Sequence, residues 1–106
     1  MKNNKKIRLT HPSLLVLKAF MRCPADQLFG TEIMRETRLS SGTLYPILLR
    51  FESLGLLESE WESEKPQTMG RPRRRLYRIT SEGREFARQA LEQVYAPFLI
   101  PVPVGG

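Results

Sequence analysis

Between Ser40 and Gly83 the sequence dictates an order of elements that few small folds accommodate. Leu44, Leu48 and Phe51 recur at helical spacing with Ile47 and Leu54 flanking them, and Gly55 stands where a left-handed helix C-cap is wanted. The period then changes. From Leu56 to Glu64, Leu57 and Trp61 alternate with Glu58, Glu60, Glu62 and Glu64, which is the pattern of a half-buried strand. Lys65 to Pro72 contains Pro66, Gly70 and Pro72 and reads as a loop, and Arg73 to Ile79 reads as the returning strand. A helix followed at once by an arginine-tipped hairpin suits a surface that lies along a DNA duplex.

The flanking segments complete a compact plan. A short helix is expected from Gly30-Thr31 to near Arg38, carrying Ile33 and Met34 inward. The turn Leu39-Ser40-Ser41 joins it to the third helix, a helix-turn-helix pattern with the hairpin as its wing. Thr10 is placed to cap a first helix running to about Met21, with Pro12 in its first turn. Leu14, Leu17 and Met21 form its stripe, and Leu15, Val16 and Phe20 widen that stripe until the helix needs cover on two sides. Thr80 caps a last helix whose Phe86, Ala90, Leu91, Val94 and Tyr95 lie on one stripe, and Pro97 stops it. The fold class is therefore mostly α with a small β-hairpin (α+β). The division is a flexible basic arm at 1–9, a winged helix-turn-helix at 10–80, a C-terminal dimerisation helix at 81–97 and an apolar tail at 98–106.

Composition narrows the partner. With 106 residues the chain holds one core. Its net charge is +6, and twelve of its seventeen basic residues are Arg, whose planar fork matches phosphates and guanine edges. The charge points to a polyanionic partner, either nucleic acid or an acidic membrane surface, with a merely solvated basic surface as the alternative, and the arginine share favours nucleic acid. Cys23 and His11 are single, so no disulfide, no cysteine zinc site and no histidine-based centre is expected, and no cofactor or metal. The apolar run Leu14 to Met21 is interrupted by Lys18, and no segment approaches the roughly 20 apolar residues of a membrane span. A cytoplasmic protein without a membrane partner is expected. No nucleophile–base pair, paired carboxylates or phosphate-cradling glycine loop suggests an enzyme.

Residue roles follow from the plan. The third helix, residues 40–54, is expected to enter the major groove by its N-terminal end, where Ser40, Ser41, Gly42 and Thr43 meet phosphates or base edges. Thr31 at the start of the second helix joins them. Tyr45 either contacts DNA or packs against the wing, and Arg50 is either a phosphate contact or a surface ion-pair partner. Pro46 removes one helical hydrogen bond, at small cost if the helix begins near Thr43. In the wing, residues 63–75, Arg71, Arg73, Arg74 and Arg75 either neutralise phosphates or place an arginine in a narrow minor groove. Glu58, Glu60 and Glu62 are expected to pair with Arg74 and Arg78, and Trp61 to anchor the hairpin to the core, with stacking on a planar ligand as the alternative. Leu15, Phe86, Leu91, Val94, Tyr95 and Phe98 are the expected homodimer contacts. A winged helix used for protein contact and a DNA-binding protein without sequence choice remain open alternatives.

The run GTLYPILLRFESLGLL, the wing GRPRRRLYRIT and the following SEG resemble the winged-helix domain of the PadR family of bacterial and archaeal transcriptional regulators. The resemblance covers roughly residues 12 to 90, and Gly42-Thr43-Leu44-Tyr45-Pro46 is its most specific part. It implies a homodimer on palindromic double-stranded DNA, usually a repressor released by a small molecule or stress signal. It also implies dimerisation through the C-terminal helix, sometimes joined by the first. With one C-terminal helix and a nine-residue tail, the chain is similar to the short-tailed members, so the resemblance does not specify the effector.

Overall fold

The computed structural model describes residues 9–63 and 70–95. Within them the elements run α1 (His11–Met21), β1 (Gln27–Phe29), α2 (Gly30–Thr37), α3 (Ser41–Ser53), β2 (Leu57–Trp61), β3 (Arg75–Ile79) and α4 (Ser81–Tyr95). Residues 1–8 of the expected basic arm, residues 64–69 of the expected wing loop, and the expected tail with Pro97 and Phe98 lie outside the described residues.

Local chemistry sets most boundaries where the sequence places them. The Thr10 side chain accepts a hydrogen bond from the Ser13 N–H at 3.3 Å, and Pro12 sits in the first turn of α1. α2 is N-capped by Phe29, whose N–H donates to the Glu32 carboxylate at 2.8 Å, and C-capped by Arg38 in the left-handed region. α3 ends in a Schellman motif. Gly55, with φ at 79°, donates to the Glu52 carbonyl at 3.0 Å, and the Leu56 N–H reaches the Phe51 carbonyl at 2.9 Å.

The sheet departs from the expected hairpin. It has three antiparallel strands in the order β1-β3-β2, because Gln27, Leu28 and Phe29 pair with Arg78, Tyr77 and Leu76 along the far edge of β3. Asp26, at φ 63°, turns the chain into this strand, and its carbonyl accepts the Ile79 N–H at 3.0 Å. β2 and β3 are also shorter than expected, ending at Trp61 and beginning at Arg75. Beyond them one further bond joins the Glu62 N–H to the Arg74 carbonyl, and then Pro72, which has no N–H, and Gly70, at φ 74°, open the wing.

The core lies between the helices and the inner sheet face. Val16, Leu17 and Phe20 of α1 meet Ile33, Leu44, Leu48 and Phe51 of the helix-turn-helix and Leu57, Tyr77 and Ile79 of the sheet. Each fully buried large side chain contributes about 1.5–3 kcal/mol relative to exposure. α4 is fastened to this core at its first turn. Thr80 donates its hydroxyl to the Gly55 carbonyl at 2.7 Å, accepts from the Gly83 N–H at 2.9 Å, and bonds the Leu56 carbonyl through its own N–H at 3.0 Å. Gly83 then passes directly over that carbonyl, since a Cβ there would lie 2.0 Å from the Leu56 oxygen. The Thr-Ser-Glu-Gly sequence thus joins the end of α3 to the start of α4 through backbone contact.

Candidate nucleic-acid interface

α3 presents its N-terminal half outward. Ser40, Ser41, Gly42, Thr43, Tyr45 and Pro46 are exposed, while Leu44, Ile47, Leu48 and Phe51 are buried. The Ser40 hydroxyl accepts from the Thr43 N–H at 3.3 Å and lies 3.3 Å from the Thr43 hydroxyl. Ser40 is therefore the N-cap, and Ser41, Gly42 and Thr43 form the first turn. The helix starts at Ser41 rather than near Thr43, so Pro46 falls inside it and has no N–H to offer the Gly42 carbonyl one turn earlier.

Tyr45 spans two elements while remaining 38% exposed. Its hydroxyl occupies the space a side chain at residue 30 would need, 2.6 Å from an ideal Cβ on Gly30. That approach brings Tyr45 against the start of α2, where Thr31 is exposed. Arg50 lies on the opposite flank of α3. Its guanidinium donates to the buried Ser13 hydroxyl of α1 at 3.4 Å, and among the described residues it forms no ion pair. Thr10, Pro12, Thr43, Pro46, Ile47 and Arg50 line a shallow cleft there.

The wing arginines are organised by carboxylates. Glu62 takes the Arg71 guanidinium in two bonds, at 2.8 and 3.1 Å, and also holds Arg74 at 3.1 Å through the guanidinium and 2.9 Å through its backbone N–H. The Arg71 hydrogen bonds, opposed by partial desolvation and reinforced by Arg74, lower the Glu62 pKa from 4.5 to about 2. Glu62 therefore stays ionised and orients both guanidinium groups at neutral pH. The Arg74 guanidinium also stacks 3.8 Å from the centre of the Phe29 ring. Arg78 bridges Glu58 at 3.5 Å and Glu60 at 3.6 Å, so the expected glutamate–arginine pairing is present. Arg71 and Arg73 are exposed, whereas Arg74 and Arg75 are half-buried.

Arg75 does something the sequence did not reveal. Its guanidinium lies 4.9 Å from the centre of the Trp61 ring, donates to the Ser59 hydroxyl at 3.0 Å, and reaches Glu52 of α3 at 3.8 Å. Ser59 in turn donates to the Glu52 carboxylate. Glu52, Ser59 and Arg75 thus tie α3 to both wing strands. Tyr77 lies beneath them, with burial pushing its hydroxyl above the usual 10.0 and the neighbouring Tyr45 adding to that shift. Trp61 is 56% exposed, so it caps Arg75 and does not anchor the hairpin in the core. Glu52, Ser59 and Gly30 were missed because their roles arise only where two elements meet. The Glu52–Phe51 register, which puts a carboxylate at the rim of the buried stripe, was the one available signal.

On α4 only Gly83, Ala87 and Ala90 are buried, and the larger Phe86, Leu91, Val94 and Tyr95 are half-buried. Leu15 of α1 is also half-buried, and Lys18 lies 5.9 Å from the centre of the Tyr95 ring. α1 and α4 are neighbours along this side. No helix among the described residues is long and apolar enough to cross a membrane.

Residues 27–89, more than half of the chain, match the transcriptional regulator PadR-like family, and the chain belongs to that family. The family is one of transcriptional regulators, and the helix-turn-helix with its β2–β3 wing is the fold of the solved members that it resembles. Among solved structures it is similar to a PadR family transcriptional regulator from Eggerthella lenta DSM 2243, at 27% identity and a TM-score of 0.64, over 79% of this chain and 74% of that one. The fold also matches AbfR of Staphylococcus epidermidis, in its overoxidized form bound to DNA, at 23% identity and a TM-score of 0.65, over 86% of this chain. NadR in complex with 4-hydroxyphenylacetate matches at 18% identity and a TM-score of 0.66, over 85% of this chain. The chain spans 58% of the NadR chain and 60% of the AbfR chain. No curated protein matches it.

Proposed function

We propose that the chain acts as a homodimeric repressor that places α3 of each subunit in successive major grooves of a palindromic operator and lays its wings along the flanking backbone. One observation carries this reading: the Glu52–Ser59–Arg75 tie joins the last turn of α3, the helix whose N-terminal half is exposed, to both strands that carry the arginine-bearing wing. A groove-filling helix and a cationic arm held in fixed relation suit a duplex better than an irregular acidic protein surface. Ser41, Gly42, Thr43 and Tyr45 face base edges and phosphates, Ser40 serves as the cap that exposes the neighbouring N–H groups, and Thr31 meets the backbone beside them. Arg71 and Arg73 neutralise phosphates, Arg74 supports them from the Phe29 ring, and Arg50 contacts the backbone from the α1 side.

The dimer is proposed through Leu15 of α1 and Phe86, Leu91, Val94 and Tyr95 of α4, continued by Phe98. Large apolar side chains left half-buried beside small buried ones are what a second copy would cover. The role entails no catalytic step and a place in the cytoplasm with the DNA. NadR is seen with 4-hydroxyphenylacetate, and a small-molecule effector of this chain belongs to the proposal without a chemical identity. The test is affinity for operator DNA against salt. Binding that neutralises six or more phosphates falls about 10³-fold between 50 and 200 mM salt. A salt-independent affinity contradicts a duplex-binding interface, and a 12.3 kDa species in sedimentation at micromolar concentration contradicts the dimer.

A further inference from the structure

The side of α3 that points away from the core carries no charge. At 3.6 residues per turn, Gly42, Pro46, Leu49 and Ser53 lie opposite the buried stripe of Leu44, Ile47, Leu48 and Phe51. Thr43 and Arg50 flank this line on the α1 side, and Tyr45 and Glu52 flank it on the sheet side. Gly42 has no side chain, and Pro46 has no hydrogen-bond donor. The Ser53 hydroxyl donates to the Arg50 carbonyl at 2.8 Å. Leu49 is the remaining side chain, and it stands 69% exposed.

We infer that Leu49 is a specificity-determining residue that reads the 5-methyl group of thymine in the major groove. This inference rests on the DNA-binding reading and deepens it. An uncharged line along the middle of a groove-entering helix cannot select bases by the bidentate hydrogen bonds that Arg, Asn or Gln make. The thymine methyl is the one apolar feature that the major groove offers, and contact with it is the recognition a leucine can provide. The flanking groups fit the assignment. Arg50 and Thr43 on one side and Tyr45 on the other flank Leu49 and can reach the phosphates of the groove walls as well as base edges, which leaves Leu49 as the apolar side chain over the floor. Phosphate contacts thus set the register, and a methyl contact adds a choice of base to whatever the polar groups of the first turn read.

The test uses the full chain and the DNA site that in vitro selection returns. Each thymine is replaced singly by deoxyuridine, which removes the methyl and leaves the Watson–Crick pairing unchanged. Burial of one methyl is worth about fourfold in affinity. One thymine per half-site is therefore expected to lose about fourfold on substitution, and the others to change little. Leu49→Ala is expected to weaken the unmodified site by a similar factor and to become indifferent to deoxyuridine at that position. Leu49 packs little against its own subunit, so the variant's melting temperature should match that of the parent protein. The inference is overturned if every deoxyuridine site binds as the thymine site does, or if Leu49→Ala keeps the full methyl sensitivity. Failure to select any DNA would instead overturn the DNA-binding reading beneath it.

Discussion

At the scale of single residues, the structure separates glycines and charges that look alike in the sequence. Gly83 and Gly42 both sit in the first turn of a helix, yet a Cβ at 83 would strike the Leu56 carbonyl while a Cβ at 42 meets nothing within 4 Å. Gly83→Ala should cost at least about 1–3 kcal/mol, as overpacking against backbone does, and Gly42→Ala should leave stability level or raise it by up to about 1 kcal/mol. Thermal unfolding of the two variants checks this contrast. Glu62 offers a second. Its pKa is depressed from 4.5 to about 2, so the folded state is favoured by its ionised form above about pH 4.5, and this contribution is lost as pH falls from there through 2. Carboxyl chemical shifts followed by NMR should place its midpoint near 2, whereas a midpoint near 4.5 would mean that the Arg71 and Arg74 bonds do not persist in solution. Glu62→Gln releases two guanidinium groups from their carboxylate. It should strengthen binding to random duplex and steepen its salt dependence by up to about two phosphates.

At the scale of elements, what was legible depended on whether its cause is local. The caps at Thr10 and Thr80, and the left-handed Gly55, are set by side-chain and backbone groups within a few residues, and all of them stand where the sequence puts them. β1 was not legible. Gln27, Leu28 and Phe29 are too few to show an alternation, and they become a strand only because β3 has an open edge with matching backbone groups. Trp61 failed for a geometric reason. It does share a sheet face with Leu57, but four residues of strand carry it about 13 Å further on, past the edge of the core. There it meets Arg75 instead of hydrophobic side chains. The candidate interface shows the same split: the outward residues of α3 followed from its helical period, and the Glu52–Ser59–Arg75 tie depended on how α3 crosses the sheet. Because these groups are partly exposed, Glu52→Ala should change stability by less than about 1 kcal/mol. It should weaken operator binding more than random-duplex binding, because it frees the wing from the helix. Equal loss on both DNAs would show that the tie does not position the interface.

At the scale of the whole molecule, two faces divide the work. α3 and the wing form one side, and α1 with α4 forms another, with the Thr80–Gly83 contact fastening the end of α3 to the start of α4. A change in the angle between two α4 helices would therefore be transmitted to the spacing of two α3 helices through backbone contact. Leu91→Glu, which places a charge on the half-buried side of α4, should yield a folded monomer in sedimentation and abolish tight operator binding while leaving helix content unchanged. The central claim is that two copies read DNA together, each through α3 and its wing. Selection of bound sequences from random duplex by the full chain tests this most directly. The expected product is an inverted repeat whose half-site centres lie about one helical turn, 10–10.5 base pairs, or a multiple of it apart. Enrichment of a single unrepeated site, or no enrichment at all, would contradict it.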